Sequence, residues 1–411
     1  MGEAHSHPSR LSRRQLLLGG AAAGAGSAAA LGADAVLHPT SSPSGQAQQS
    51  TSTFGEQTIS FYGEHQAGVE VTPRAFAVFV AFDLLDEVDT AALTRMMRVL
   101  TEDSARLTQG SAPLADVERE LAEVPANLTV TFGFGPGMVS RVSQTAAPSW
   151  LGPLPSFAEI DQLEDQWSDG DLLLIVSCDD QITLSHAVKV LSTDMTSFGS
   201  LRWRQSGFRR AVGTQARSVT MRNLFGQVDG TVNPSPGTDD FRSVVWISGS
   251  GTWLDGGTSF VLRRISMDMS TWGQVDRTAR EESVGRTLDT GAPLTGSQEH
   301  DDPDFSATDG LGFPVIGSYA HIRRARGDGS APQIYRFAYN YERDVSGEQG
   351  DVGLLFGSFQ QDVSAQFVPI QRRLAQGDLL NQWTTPVGSA VFAIPPGCAE
   401  GGFVGQSLLE G

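Results

Sequence analysis

At 411 residues, with 39% hydrophobic and 18% charged side chains, the chain is long and apolar enough for two or three domains of about 150 residues with a sizeable core. Its formal net charge of −18, with Lys189 the one lysine, excludes a nucleic-acid or anionic-membrane partner, because phosphate recognition needs clustered cations. Beyond the N-terminus no apolar run is long enough to span a bilayer, which excludes integration by a membrane-spanning helix.

The predicted elements begin with a targeting segment. Ser12-Arg13-Arg14-Gln15-Leu16-Leu17 is a twin-arginine pattern, a small-residue apolar stretch runs from Leu16 to Leu31, and Ala33-Asp34-Ala35 offers an A-x-A cleavage site. Residues 1–35 therefore read as a signal for the twin-arginine translocase, which exports folded proteins, so the expected location is periplasmic, cell-surface or extracellular. Residues 36–57, rich in Ser, Thr, Gln and Pro, read as a flexible linker, with order beginning near Thr58.

A first domain is expected over 58–215. Ala75–Leu84 is an apolar run typical of a buried strand. Leu93, Met96, Met97 and Leu100 share one helical face, and Leu128, Val130, Phe132 and Phe134 alternate as in a strand. Asp171–Ser177 reads as a strand, Ile182–Leu191 as a helix, and Leu201 and Trp203 open a last strand. That order, β-α-β-β-α-β, is a ferredoxin-like unit. The second domain, 216–411, repeats it. Ser243–Ser248 and Ser259–Met267 read as strands, and a helix capped by Ser270 or Thr271 runs to about Arg286. Tyr319–Arg324, Ile334–Tyr341 and Gly353–Phe359 read as strands, Phe367, Ile370 and Leu374 mark a helix, and Ala390–Ile394 a final strand. The Gly/Pro/Asp-rich connection 288–318 is long enough to be functional or mobile. The expected fold class is α+β: two ferredoxin-like domains whose antiparallel sheets pack together.

Three segments carry the chemistry. Gly226-Gln227-Val228-Asp229-Gly230-Thr231 sets one carboxylate between glycines, which let a backbone approach a flat ligand closely; alone, it is better read as a surface turn. His321-Ile322-Arg323-Arg324 follows, then Ile334-Tyr335-Arg336-Phe337-Ala338-Tyr339-Asn340-Tyr341, with Arg336 fifteen residues after His321. An Asp, a His and an Arg in this order and at these intervals resemble the dye-decolorizing peroxidases, which are heme enzymes. Phe61-Tyr62-Gly63-Glu64-His65-Gln66-Ala67-Gly68 is similar to the entry motif of the same family, and the resemblance covers about residues 58 to 405.

The resemblance implies one heme b per chain, bound in the C-terminal domain, and a reaction between H2O2 and bulky aromatic donors such as dyes and phenols. Outside the leader the histidines are His38, His65, His186, His300 and His321. His38 lies in the linker, and His186 and His300 read as solvent-facing; of His65 and His321, the latter matches the family's axial iron ligand. Asp229 matches the distal acid–base and Arg336 the cation that stabilises charge during O–O scission. A carboxylate commonly receives the other ring N–H of a ligating His. The segment Gly353–Asp362 resembles the one that supplies it, pointing to Asp362; Phe356 would line the distal pocket. Plainer alternatives, a helix N-cap and a core Phe, stay open for these two. Backbone N–H groups of Gly230, Thr231 and Val232 are further implied heme contacts. Where the family often reads Asn-Pro-Arg after the axial His, this chain has Arg323-Arg324-Ala325-Arg326-Gly327-Asp328, and Arg326 is the shifted candidate for a heme propionate. Tyr339, Tyr341 and Trp383 are candidate electron relays. Cys178 and Cys398 lack the spacing for covalent heme attachment or zinc, and either a disulfide or a buried thiol suits them. A heme-binding or iron-acquisition protein, deferrochelatase-like, is the competing function.

Overall fold

The computed structural model describes residues 53–216, 218–327, 332–343 and 350–411. The twin-arginine segment, its cleavage site and linker residues 36–52 lie outside the described residues. Residues 53–57 depart from the expected flexible linker: Phe54–Glu56 makes one 3-10 turn, and Gly55 O and Gln57 O accept the N–H groups of Ala126 and Asn127. Order therefore starts at least five residues earlier than composition suggested, because two backbone hydrogen bonds hold the turn.

The first half contains β1 (Phe76–Leu84), α1 (Thr90–Thr108), β2 (Thr129–Phe134), β3 (Leu172–Cys178), α2 (Gln181–Asp194) and β4 (Gly199–Phe208). Asp89 and Asp180 cap α1 and α2, accepting from the N–H groups of Ala92 and Thr183. The apolar face Leu93, Met96, Met97 and Leu100 is fully buried against Val78, Val80 and Phe82 of β1. β1 and β3 send alternate residues to opposite faces, Val78, Val80, Leu172 and Leu174 to this cluster and Ala77, Phe79, Leu173 and Ile175 to a second one, as period 2 requires. β1 pairs antiparallel with both β3 and β4, and β3 with β2, giving the order β4-β1-β3-β2.

One feature of this half carries a pH signature. Asp194, at the end of α2, has a buried Oδ2 that meets no donor. Burial, and then the charge and side chain of Asp103 on α1, push the Asp194 carboxyl up to about 7. A carboxyl raised above its unfolded value contributes stability at low pH that is lost as pH rises through the folded value. Asp194→Asn should therefore raise Tm most at pH 8, less at pH 5 and least near pH 3, below the unfolded value; an equal effect at all three would refute the assignment.

The second half contains α3 (Asp239–Val245), β5 (Thr258–Met267), α4 (Met269–Gln274), α5 (Arg277–Val284), α6 (His321–Arg326), β6 (Tyr335–Arg343), β7 (Asp351–Gln360), a π-turn over Val363–Phe367, α7 (Val368–Ala375) and β8 (Thr384–Ile394). Its sheet order is β6-β7-β5-β8. The two sheets do more than pack: Phe134 of β2 registers with Ala393 of β8, and Phe208 of β4 with Asn340 of β6, closing an eight-stranded barrel. Phe79, Phe260, Phe337, Tyr339, Phe359 and Phe392 fill its interior.

Three expected elements change. Ser243–Ser248 is not a strand: α3 ends at Val245, and Phe241, Val244 and Val245 pack at i, i+3 and i+4 into the barrel cluster, so β-branched composition misled where a short helical period was present. The helix expected from Ser270 to Arg286 is two, because Asp276 turns out of helical geometry to cap α5 through Ala279 N–H. Tyr319–Arg324 is mostly helical, as α6. Gly285, at φ +86°, ends α5 so close to α6 that a Cβ there would sit 2.8 Å from Ile322. The long connection 288–318 is packed in part: Leu294, Phe305 and Ile316 join Ile322 beneath α6.

Candidate active site

The Gly226–Thr231 motif is a tight hairpin end. Arg222 bridges Val228, Asn223 N–H donates to Gln227 O at 3.0 Å, and Gly226 takes φ +84°. Arg222 staples the turn, donating to Gly226 O at 2.8 Å and to Leu288 O. The turn exists, and it buries Asp229. Asp229 N–H donates to Met221 O at 2.8 Å, which fixes the backbone; its carboxylate accepts from Arg336 Nη2 at Oδ1 and from Asn223 Nδ2 at Oδ2, 3.3 Å.

Arg336 comes from β6, whose alternation sends Tyr335, Phe337 and Tyr339 into the barrel and leaves Arg336 and Ala338 on the outer face. There its guanidinium lies 5.6 Å from the centre of the Phe356 ring, contributed by neighbouring β7. Asn233 acts as a substitute strand partner for this residue: its Nδ2 donates to Arg336 O at 2.7 Å and its Oδ1 accepts from Arg336 N–H at 3.0 Å. Asn233 was missed in the sequence; its place four residues after Asp229 ties the hairpin to the strand. Burial lowers the Arg336 guanidinium to about 10, so it remains a cation at neutral pH, and its buried Nε has no acceptor. Asp229 and Arg336 therefore form a largely desolvated pair whose charges answer one another.

His321 begins α6, and its Nδ1 lies 2.5 Å from Asp378 Oδ2. Asp378, not Asp362, is its carboxylate partner. Asp362 instead caps the π-turn, accepting from Ala365 N–H at 2.9 Å, which is the plainer of its two readings. Asp378 is buried, and its other oxygen accepts from Leu380 N–H at 3.0 Å. Burial disfavours the charged imidazole, but the Asp378 charge and hydrogen bond outweigh it and raise the His321 pKa. Leu380 packs both with Ile322 and Ala320 beneath α6 and with Ala338 and Phe356, so the His321 wall and the Arg336 wall border one region.

These residues fit a heme. Among the described residues His321 Nε2 has no hydrogen-bond partner, while Nδ1 is held by a carboxylate, the usual orientation of a metal-binding imidazole. Arg336 Nε is a buried donor without an acceptor. Asp378→Asn should weaken heme retention by roughly 10–100-fold, the usual cost of losing a ligand's supporting carboxylate, measured by heme transfer to apomyoglobin; unchanged retention would exclude Asp378 from this role.

Comparison with known proteins settles the family. Residues 66–209 match the Dyp-type peroxidase N-terminal domain and residues 220–399 the C-terminal domain. The chain belongs to the Dyp-type peroxidase family. Enzymes of this family are heme peroxidases, oxidoreductases that act on peroxide. The peroxidase is 36% identical to a dye-decolorizing peroxidase of Thermobifida fusca, over 97% of each chain, and 32% identical to a deferrochelatase of Shigella sonnei, again over 97% of each. Its fold matches a DyP-type peroxidase from Cellulomonas bogoriensis with TM-score 0.84 and 51% identity, covering 87% of this chain and 100% of that one. A DyP-type peroxidase from Streptomyces coelicolor matches at TM-score 0.83 and 36% identity, covering 87% and 98%.

Other expected site residues fall as follows. Gly230, at φ +123°, and Thr231 continue from Asp229; Thr231 Oγ1 donates to Glu299 at 2.9 Å, and Val232 is exposed. Arg326 pairs with the exposed Asp302 at 3.2 Å. Asp328 lies outside the described residues. His65 stacks on Trp246 with centroids 3.9 Å apart and bonds Gly256 O through Nδ1. His186 is not solvent-facing but buried, 2.8 Å from Asp116, because α2 turns that face toward the loop before β2. Tyr339 and Tyr341 are interior to the barrel, whereas Trp383 is half-buried against Trp272 at 5.1 Å. Both cysteines are free, and burial raises the Cys178 thiol to about 12.

Proposed function

We propose that this peroxidase reduces H2O2 and oxidises bulky aromatic donors, with one heme b per chain held by His321, and that it is exported by the twin-arginine pathway. The Asp229–Arg336 pair carries the reading: a buried carboxylate in direct contact with a half-buried guanidinium on the outer face of β6. When bound, heme supplies the iron at which peroxide exchanges electrons.

The chain's own residues handle protons and charge. Asp378 Oδ2 holds the proton on His321 Nδ1, which leaves the Nε2 lone pair for iron and makes the imidazole more basic. With heme bound, Asp229, whose carboxylate meets Arg336 at Oδ1 and Asn223 at Oδ2, would be the base that accepts a peroxide proton and returns it. Arg336, charged even when desolvated, stabilises the negative charge that develops on the departing oxygen. Phe356 shields the guanidinium from solvent on one side. Arg326, free to exchange its exposed Asp302 partner, is our propionate contact, with the backbone of Gly230, Thr231 and Val232 at the heme edge.

The test is an absorption spectrum of the purified protein before and after one equivalent of H2O2. A Soret band that shifts on peroxide addition is expected, followed by its return with a dye or phenol. Absence of the band would overturn the heme assignment. A band that peroxide leaves unchanged would favour a heme-handling role, such as the name of the deferrochelatase relatives suggests.

A further inference from the structure

Little backbone joins the two arms of the Asp229 hairpin. Asn223 N–H donates to Gln227 O and Asp229 N–H to Met221 O, and among the described residues no backbone hydrogen bond links the arms beyond that point. The next residue, Gly230, takes φ +123°, which a regular antiparallel ladder does not contain. Asp229 therefore stands at the last rung, where a paired segment opens most easily.

Glu299 closes the open end. Its Oε1 accepts from Thr220 Oγ1 at 2.5 Å and from Thr231 Oγ1 at 2.9 Å, one hydroxyl from each arm. Thr220 precedes Met221 and Thr231 follows Gly230, so this bridge spans the arms directly beside the last backbone bond. Hydroxyls that donate to a carboxylate make short, charge-assisted bonds. Glu299 belongs to the long connection 288–318, and its own place is set by the buried Arg286, whose Nη1 donates to Glu299 O at 2.8 Å and to Gly291 O at 2.6 Å. Gly291 is the second point of grip: a Cβ there would stand 2.8 Å from Val228 of the hairpin. One arginine thus ties together both places at which the connection holds the turn.

We infer that Glu299 is a positioning residue for the peroxide reaction, acting through Asp229 by clasping the hairpin arms so that the Asp229 carboxylate stays against Arg336. The inference rests on the role of Asp229 in the proposed reaction. A misplacement of about 1 Å can cost on the order of 10²-fold in rate, so a clasp one residue from the reacting group has a kinetic consequence.

Two measurements on the holoprotein test it. Hydrogen exchange, read by mass spectrometry on the peptide that contains Asp229, needs no turnover. Glu299→Ala should speed exchange there at least about tenfold, the effect of losing a charge-assisted hydrogen bond, whereas Glu299→Gln, whose amide oxygen can accept from both hydroxyls, should not. In stopped flow, Glu299→Ala should slow the reaction of ferric enzyme with H2O2 roughly 10- to 100-fold, and Glu299→Gln should restore most of the rate. Thr220→Val, which removes one of the two donors and leaves the connection intact, should lose less. In an Asp229→Ala background Glu299→Ala should cost nothing further, because a residue that acts through another has no effect once the other is gone. A purely structural clasp would lower the rate by the same factor in both backgrounds. Unchanged exchange or an unchanged rate in Glu299→Ala, or equal losses in the two backgrounds, would overturn the inference and leave the role of Asp229 standing. A wild-type rate in Asp229→Ala would remove that role and this inference with it.

Discussion

Replacing His321 with alanine is expected to give folded protein that purifies with little or no heme. His321 supplies the one proposed protein bond to iron, and it is held for that task by a single carboxylate, Asp378, at 2.5 Å. Of the other described histidines, His65 is stacked on Trp246 with Nδ1 committed to Gly256 O, His186 is buried against Asp116, and His300 is exposed. The fold should survive, because α6 is anchored by Ile322 in the cluster beneath it and by Arg373, which donates to Arg324 O at 3.1 Å and Ala325 O at 2.8 Å. Circular dichroism should therefore match the parent while the Soret band disappears. An unchanged heme content and ferric spectrum would place the ligand elsewhere.

Arg336→Leu and Asp229→Ala should both retain heme and both slow the reaction of ferric enzyme with H2O2. A positioned acid–base group contributes roughly 10²–10⁴ in rate, and a preorganised donor in a water-poor site about 10²–10³. The direct contact between the two groups makes their effects non-additive. Removing Arg336 leaves the Asp229 carboxylate buried with Asn223 as its remaining side-chain donor, so it protonates more readily and serves less well as a base. Arg336→Leu should consequently slow the reaction at least as much as Asp229→Ala, and move the acidic limb of its pH–rate profile to higher pH. Asp229→Ala should flatten that limb, which reports protonation of this base. Stopped-flow Soret measurements across about pH 3 to 8, spanning the Asp reference value and upward shifts, decide the matter. Wild-type rates in both variants would return the hairpin to a purely structural role.

Much of this arrangement was legible in the sequence, and the exceptions share a cause. Strands such as β2 and β6 are announced by alternation that a single sheet face explains, and Asp229, Arg336 and His321 stand in segments with distinctive neighbours. The barrel closure is carried by register pairs between residues far apart, Phe134 with Ala393 and Phe208 with Asn340, and has no local signature. The helix α6 is six residues long and owes its last turn to Arg373, a partner from α7, so the β-like composition of Tyr319–Arg324 pointed the other way. Asp378 lies 57 residues beyond His321, and nothing in Gln376-Gly377-Asp378 distinguishes a second acid from a helix end. Asp362 had the more suggestive neighbours but spends its carboxylate on its own turn. Local pattern located the reacting groups; what supports them from a distance was visible only once the chain had folded.

The ring of strands also bears on how the protein is made. In each ferredoxin-like sheet the outermost strands, β2 and β4 in one and β6 and β8 in the other, find their second neighbours in the opposite half. A ribosome that has released only the first half has therefore made a sheet with two open sides, each a template for another chain. Such a fragment would be prone to self-association until β8 and β6 arrive to pair with Phe134 and Phe208 at the ends of those edges. Solubility is in this sense a property of the finished chain, and premature termination between the halves should yield inclusion bodies in place of a small stable domain.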